Sequence, residues 1–282
     1  MSMTPTSILV PIDGSPLGDR AIDLAVRIAH ADGARLVLFR AVPEGTLGEV
    51  EAALDGARAE VEALAARHAA ASGLVVEGRV GHGDPARAIL AAAEEAGPGL
   101  IVLSTHGRTG VRRALRGSVA EAVLRDAPVP VLAATPAALE AGRPLRRIVV
   151  AHDGSDASRT VLPAVLRLAR AFDAQVALLR VEPYRMQPLP SPLVVPVWDK
   201  KLVERSLAVD RDLAEAAGVS VEVEAVYGPL VGEILRAAED ADLVALTTHG
   251  RSGPSRWVMG SVAEEVLRRC PRPVLVARRA GD

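Results

Sequence analysis

The chain has 282 residues, 49% of them hydrophobic, 24% charged and 2% aromatic, with a formal net charge of -2. So much apolar material fills one large core or two ordinary ones and excludes a disordered chain. Lys+Arg (33) nearly balance Asp+Glu (35), and few aromatics are available to stack on bases, which argues against a dedicated nucleic-acid binder.

In chain order, the first half alternates short apolar runs with longer amphipathic stretches. The runs are SILVPI (7–12), ARLVLFRA (34–41), LVVEGRV (74–80), LIVLS (100–104) and VPVLAA (129–134). They are too short and too rich in Val, Ile and Leu for helices, so five strands are predicted. Between them, residues 16–32, 46–71, 84–96 and 117–126 carry apolar residues at helical spacing. Continuously apolar strands imply a sheet covered on both faces.

The second half repeats this plan, with strands near 146–151, 175–181, 219–226, 242–247 and 273–278. Shifting the chain by 143 positions lays residues 100–135 over 243–278 with 21 of 36 positions identical, and ILVPIDGSP (8–16) matches IVVAHDGSD (148–156). The predicted class is therefore α/β: two tandem doubly wound domains, 1–138 and 145–282. Each is a five-stranded parallel sheet in the order 3-2-1-4-5 flanked by four helices, and AALEAGRP is the linker. One segment departs from the repeat. Residues 182–199 carry five prolines and are predicted as an extended loop, either covering a site or domain interface or running over the surface.

The single cysteine, Cys270, excludes an internal disulfide, and no His or Cys pair has a zinc-ligand spacing, so no metal site is expected. No uninterrupted apolar stretch approaches the roughly 18 residues of a membrane helix, and MSMTPTSILVPIDGS lacks a signal peptide's charged start. A cytoplasmic location is the expectation.

In a doubly wound sheet, ligands bind beyond the carboxyl ends of the strands where the winding reverses. Strand 1 ends at Asp13, Gly14 and Ser15, and strand 4 at Ser104, Thr105, His106 and Gly107, so both motifs are predicted to converge on one crevice. The loop after strand 4 carries Gly107, Gly110 and Gly117 before Ser118, and its copy carries Gly250, Gly253 and Gly260 before Ser261. Glycines let the backbone approach a ligand, and a helix start offers free N–H groups to an anion. No P-loop lysine is present, since Lys200 and Lys201 are the only lysines; backbone amides, hydroxyls and Arg108 or Arg251 would hold a phosphate. The competing structural reading makes Ser118 with Glu121, and Ser261 with Glu264, capping boxes. It makes Asp13 and Asp153 turn residues, where the functional reading makes them acceptors for an adenine or ribose edge. His106 and His249 lack a partner for acid-base work, and Arg112, Arg113 and Arg116 read as a solvated face.

The combination VPIDGS, THGRTG and GSVAE resembles the universal stress protein family in its tandem form, over nearly the whole chain. The resemblance implies ATP, with or without Mg2+, bound through a GxxGx9G[ST] loop. Gly107, Gly117 and Ser118 match its later part, as do Gly250, Gly260 and Ser261, followed by Val119 and Val262; Ser104 and Thr247 replace its opening glycine. It also implies that Pro11, Asp13 and Ala41 hold the adenosine in the first domain. In the second, Asp153 and Val181 stand at the matching positions, and Ala151 replaces the proline. Members often dimerise through their last strands, which implies internal pairing of PVPVLAA with RPVLVAR, with a homodimer also open, and an adenine nucleotide as the small-molecule partner. Three readings follow: an ATP-binding stress-response module that regulates or senses, a slow ATPase or phosphotransferase, and an interaction scaffold without nucleotide. Neither a general base nor a loop lysine favours turnover.

Overall fold

A computed structural model describes residues 6–105, 118–135, 138–139, 144–182, 203, 205–248 and 259–278. The first half comprises β1 (Ser7–Pro11), α1 (Pro16–Asp32), β2 (Arg35–Val42), α2 (Leu47–Ser72), β3 (Val76–His82), α3 (Pro85–Ala96), β4 (Leu100–Ser104), α4 (Ser118–Asp126) and β5 (Val131–Ala134). The second comprises β6 (Arg147–Ala151), α5 (Asp156–Arg159), α6 (Leu162–Phe172), β7 (Gln175–Glu182), α7 (Ala208–Ala216), β8 (Val221–Tyr227), α8 (Leu230–Ala237), β9 (Leu243–Thr247), α9 (Ser261–Arg269) and β10 (Val274–Ala277).

The strands form one ten-stranded sheet in the order β3-β2-β1-β4-β5-β10-β9-β6-β7-β8. Each half thus has the predicted order 3-2-1-4-5. β1 lies parallel between β2 (Ile8 opposite Leu36) and β4 (Ile8 opposite Leu100), and β6 repeats this with β7 (Ile148 opposite Val176) and β9 (Ile148 opposite Leu243). The winding reverses between β1 and β4, and again between β6 and β9. The halves meet where β5 and β10 pair antiparallel, Leu132 opposite Leu275, so the two last strands pair within the chain.

Alternation along the strands divides the core into two layers. Ile8 and Val10 join Ile22 and Ala25 of α1, Val61 of α2, Val165 of α6 and Ala214 of α7 on one face. Leu9 joins Ile89 of α3, Val123 of α4, Ile234 of α8 and Val266 of α9 on the other. Both layers run unbroken through the two halves. Leu132 and Leu275, wholly buried at the seam, each gain about 1.5–3 kcal/mol from burial.

Local chemistry sets the helix boundaries. Ser15 caps α1 by accepting the Gly18 N–H at 3.2 Å, and Asp84 caps α3 by accepting the Arg87 N–H at 3.0 Å; Pro16 and Pro85, which lack an N–H, open those helices. Equivalent positions from β1 through β2 lie 140 residues apart in the two halves, as the strand registers show. Pro163 therefore replaces Asp23 of α1, and without its N–H the corresponding helix is divided into α5 and α6. Gly33 and Asp173 close these equivalent helices in left-handed conformations, with φ of 66° and 52°. Asp173 is the one non-glycine with positive φ among the described residues. Of the proline-rich stretch 182–199, Glu182 ends β7 rather than opening a loop, and residues 183–199 lie outside the described residues. Among those residues, no helix is long and apolar enough to cross a membrane.

Candidate functional site

At the first winding reversal a cavity of about 650 Å³ opens beyond the strand ends, within the usual range for small-molecule sites. Pro11, Asp13, Ala41, Ser104 and Val119, all singled out in the sequence, line it together. They arrive on separate elements: Pro11 and Asp13 from the end of β1, Ala41 from β2, Ser104 from β4 and Val119 from the first turn of α4. Ala120 lines it as well, so the α4 N-terminus borders the cavity and adds a positive dipole end.

The Asp13 turn forms as the structural reading expects, and the same residue borders the cavity. Its Oδ1 accepts the Ser15 N–H at 2.9 Å, fixing the turn that starts α1. Gly14 takes φ of 73°, a conformation that side-chain-bearing residues rarely adopt, and a Cβ there would lie 2.8 Å from Arg40 Nη1, which would have to move aside. Arg40, whose side chain is mostly buried, donates to Glu60 Oε1 at 2.6 Å, bracing α2 against the end of β2.

Several lining residues are not singled out by the motifs. Ala53, Gly56, Ala57 and Glu60 present α2, and Ile89 presents α3. Gly56 has a readable signal: a glycine inside a long helix costs stability, and a Cβ added there would meet nothing within 4 Å. Small residues at 53, 56 and 57 leave the room that the cavity occupies.

His106, Gly107, Arg108, Arg112, Arg113, Arg116 and Gly117, with His249, Gly250 and Arg251, lie outside the described residues. Ser118 begins α4. In the second half, Thr247 ends β9, and the Gly260 N–H donates to the neighbouring Thr248 carbonyl at 2.9 Å, which brings the start of α9, with Ser261 and Val262, to the strand end. A Cβ on Gly260 would lie 2.7 Å from that carbonyl oxygen, so the position demands glycine on packing grounds alone. The expected capping box of Ser261 with Glu264 does not form. Gly260 is the N-cap, without a side-chain cap bond, and Ser261 is the first helical residue. Its exposed hydroxyl is not consumed by capping.

The second crevice differs from the first. Asp153 repeats the turn, accepting from the Ser155 N–H at 2.9 Å, and Val181 lies near the end of β7 as Ala41 does near the end of β2. But His152 replaces Ile12, and Glu182 replaces Val42, a residue that lines the first cavity. Arg180 donates to Glu182 Oε1 at 2.8 Å through Nε and to the Asp153 carbonyl through Nη1, drawing the turn and the strand end together.

Beneath that turn lies a buried polar chain that the sequence motifs do not reveal. The Gly154 N–H donates to His152 Nδ1 at 3.0 Å, which leaves the proton on Nε2, 3.5 Å from Asp210 Oδ2. Arg159 Nε donates to Asp210 Oδ1 at 2.7 Å. Burial lowers the His152 pKa; Asp210 and Asp153 oppose the shift, and Arg159 and Arg180 add to it. The Ser158 hydroxyl lies 3.3 Å from both ring nitrogens and donates to the Ser155 carbonyl at 2.8 Å. Equidistance from the two nitrogens is not nucleophile–base geometry, and Ser158, His152 and Asp210 are at most 3% exposed, so this is a structural network.

The universal stress protein family model matches residues 5–134 and 144–278, two copies in tandem. The chain belongs to the universal stress protein family. Among universal stress proteins, MJ0531 of Methanocaldococcus jannaschii is 33% identical over 142 residues, covering 48% of this chain and 82% of its own length. Rv1996 of Mycobacterium tuberculosis is 27% identical over an alignment spanning 99% of this chain and 97% of its own. The crystal structure of a universal stress protein from Archaeoglobus fulgidus shares the fold with a TM-score of 0.75, covering 97% of this chain and 98% of its own at 22% identity.

Proposed function

We propose that this tandem universal stress protein binds an adenine nucleotide, ATP, in the first-half cavity and acts as a regulatory or sensing module. The observation that carries the reading is the meeting of Pro11, Asp13, Ala41, Ser104 and Val119 around one cavity of about 650 Å³. Its chemistry suits the ligand. Val42, Ala53, Ile89 and Leu103 offer apolar walls to a purine, Asp13 offers an acceptor to its edge or to ribose, and the α4 N-terminus offers N–H donors to phosphate. Gly107, Gly117 and Ser118, with Arg108, would complete the phosphate loop, and Mg2+ would arrive with the nucleotide.

The second crevice is the weaker site in this reading. Glu182, paired with Arg180, stands where the apolar Val42 walls the first cavity, so a purine is offered a polar ion pair there in place of an apolar surface. Asp153, Val181, Thr247, Gly250, Arg251, Gly260, Ser261 and Val262 would serve that site.

Isothermal titration of the whole chain with MgATP tests the reading. One tight site per chain is expected, with adenosine competing and inosine, which alters the purine edge, competing poorly. No heat at millimolar nucleotide would leave the scaffold reading, and steady phosphate release that stops on Gly117 substitution would establish the hydrolytic one.

A further inference from the structure

Two further cavities flank the packed α1–α6 pair above the β5–β10 seam. They are related by the chain's internal repeat, yet one is about 660 Å³ and the other about 240 Å³. The equivalences follow from the strand registers. Arg27 corresponds to Arg167, Ile28 to Leu168, Phe172 to Asp32, Leu243 to Leu100 and Pro273 to Pro130.

In the smaller cavity, Arg167 Nε donates to Asp32 Oδ2 at 2.7 Å. The same guanidinium lies over Gly99, where a Cβ would come within 2.4 Å of Nη1. That ion pair occupies the space. In the larger cavity the phenyl ring of Phe172 stands where Asp32 would, and Leu24, Ile28, Leu132, Leu145 and Leu243 extend the apolar wall. The rim is basic: Arg27 and His30 come from α1, and Arg272 is held by the carbonyls of Ala238 at 3.1 Å and Glu239 at 2.8 Å. Among the described residues Asp242 is the single acid of the lining, and its Oδ2 accepts the backbone N–H groups of Arg146 and Arg147 at 2.9 and 3.1 Å.

An apolar chamber of ligand size with a basic rim selects for a molecule with an apolar body and an anionic head. We infer that the larger seam cavity is a binding site for an amphipathic organic anion of the medium-chain or aromatic carboxylate class. Its walls come from both halves and from Ala138, Pro144 and Leu145 of the connection between them, so an occupant bridges the two domains. The site is separate from the nucleotide cavity and does not depend on it.

The test uses the full chain carrying Gly56→Leu, which fills the other cavity, with 8-anilino-1-naphthalenesulfonate as fluorescent probe. Decanoate is expected to displace the probe and decyltrimethylammonium is not. Phe172→Asp, which recreates beside Arg27 the carboxylate that Arg167 meets, and Leu145→Trp, which fills the chamber, should each weaken decanoate binding by about tenfold or more. Equal competition by the cationic analogue overturns the proposal. So does unchanged affinity in both variants, each first shown by circular dichroism to be folded. If Phe172→Asp does not fold, Leu145→Trp decides alone.

Discussion

Arg167 and Asp32, 135 positions apart, form an ion pair that ties α6 of the second half to the end of α1 of the first, with Nε donating to Oδ2 at 2.7 Å. Both side chains are largely buried, so water screens the pair only partly. A double-mutant cycle on Arg167→Ala and Asp32→Ala, read by denaturant unfolding, should give a coupling energy of about 1 kcal/mol or more, weakened at high salt. A coupling of zero assigns the contact between the halves to apolar packing alone.

The seam should behave as core. Leu275 is wholly buried and faces Leu132 across the antiparallel pair. Leu275→Ala should cost about 2–5 kcal/mol, the range for buried leucines. Because both core layers run through the seam, calorimetry of the wild type should show one transition, and the variant should separate it into two.

Helix α2 makes room for the first cavity at a cost that can be measured. Gly56→Leu should abolish ATP binding in titration calorimetry while raising helix stability by up to about 1 kcal/mol, since leucine has far better helix propensity than glycine. Loss of binding accompanied by loss of stability would point to damage rather than to a filled site.

Stability should respond to pH through His152. Burial holds its pKa below the ordinary value near 6.5, so below that pH the unfolded chain binds a proton that the folded chain resists. The contribution is fully present above about pH 6.5 and is lost as pH falls towards the depressed folded value. His152→Asn keeps an acceptor for the Gly154 N–H without titrating, and should flatten that part of the stability profile. An unchanged profile would place the response on the carboxylates instead.

How much of this is legible in sequence depends on the range of the interaction. Strand runs such as LIVLS and the duplication are local or self-similar signals, and the two five-stranded halves follow from them, whereas the pairing of β5 with β10 is legible only through the resemblance to the family. Asp13 and Ser104 are legible as cavity neighbours because they close strands at a winding reversal, and Pro11 through the resemblance to the family. The capping box at Ser261 was misleading, because a one-residue shift of the N-cap to Gly260 is decided by close approach to the Thr248 carbonyl, a tertiary contact. Arg40, Gly56 and the His152–Asp210 pair escape motif reading for the same reason: each acquires meaning from a partner distant in sequence.

Joining β5 to β10 within one polypeptide makes the association of two similar modules independent of concentration. Dilution cannot separate them, and neither has to remain self-complementary to a copy of itself, as identical subunits related by a twofold axis must. Each module is thereby released to drift. Ile12 and His152, Val42 and Glu182, and Asp32 and Phe172 are the marks of that freedom: a symmetric frame carrying two unequal faces.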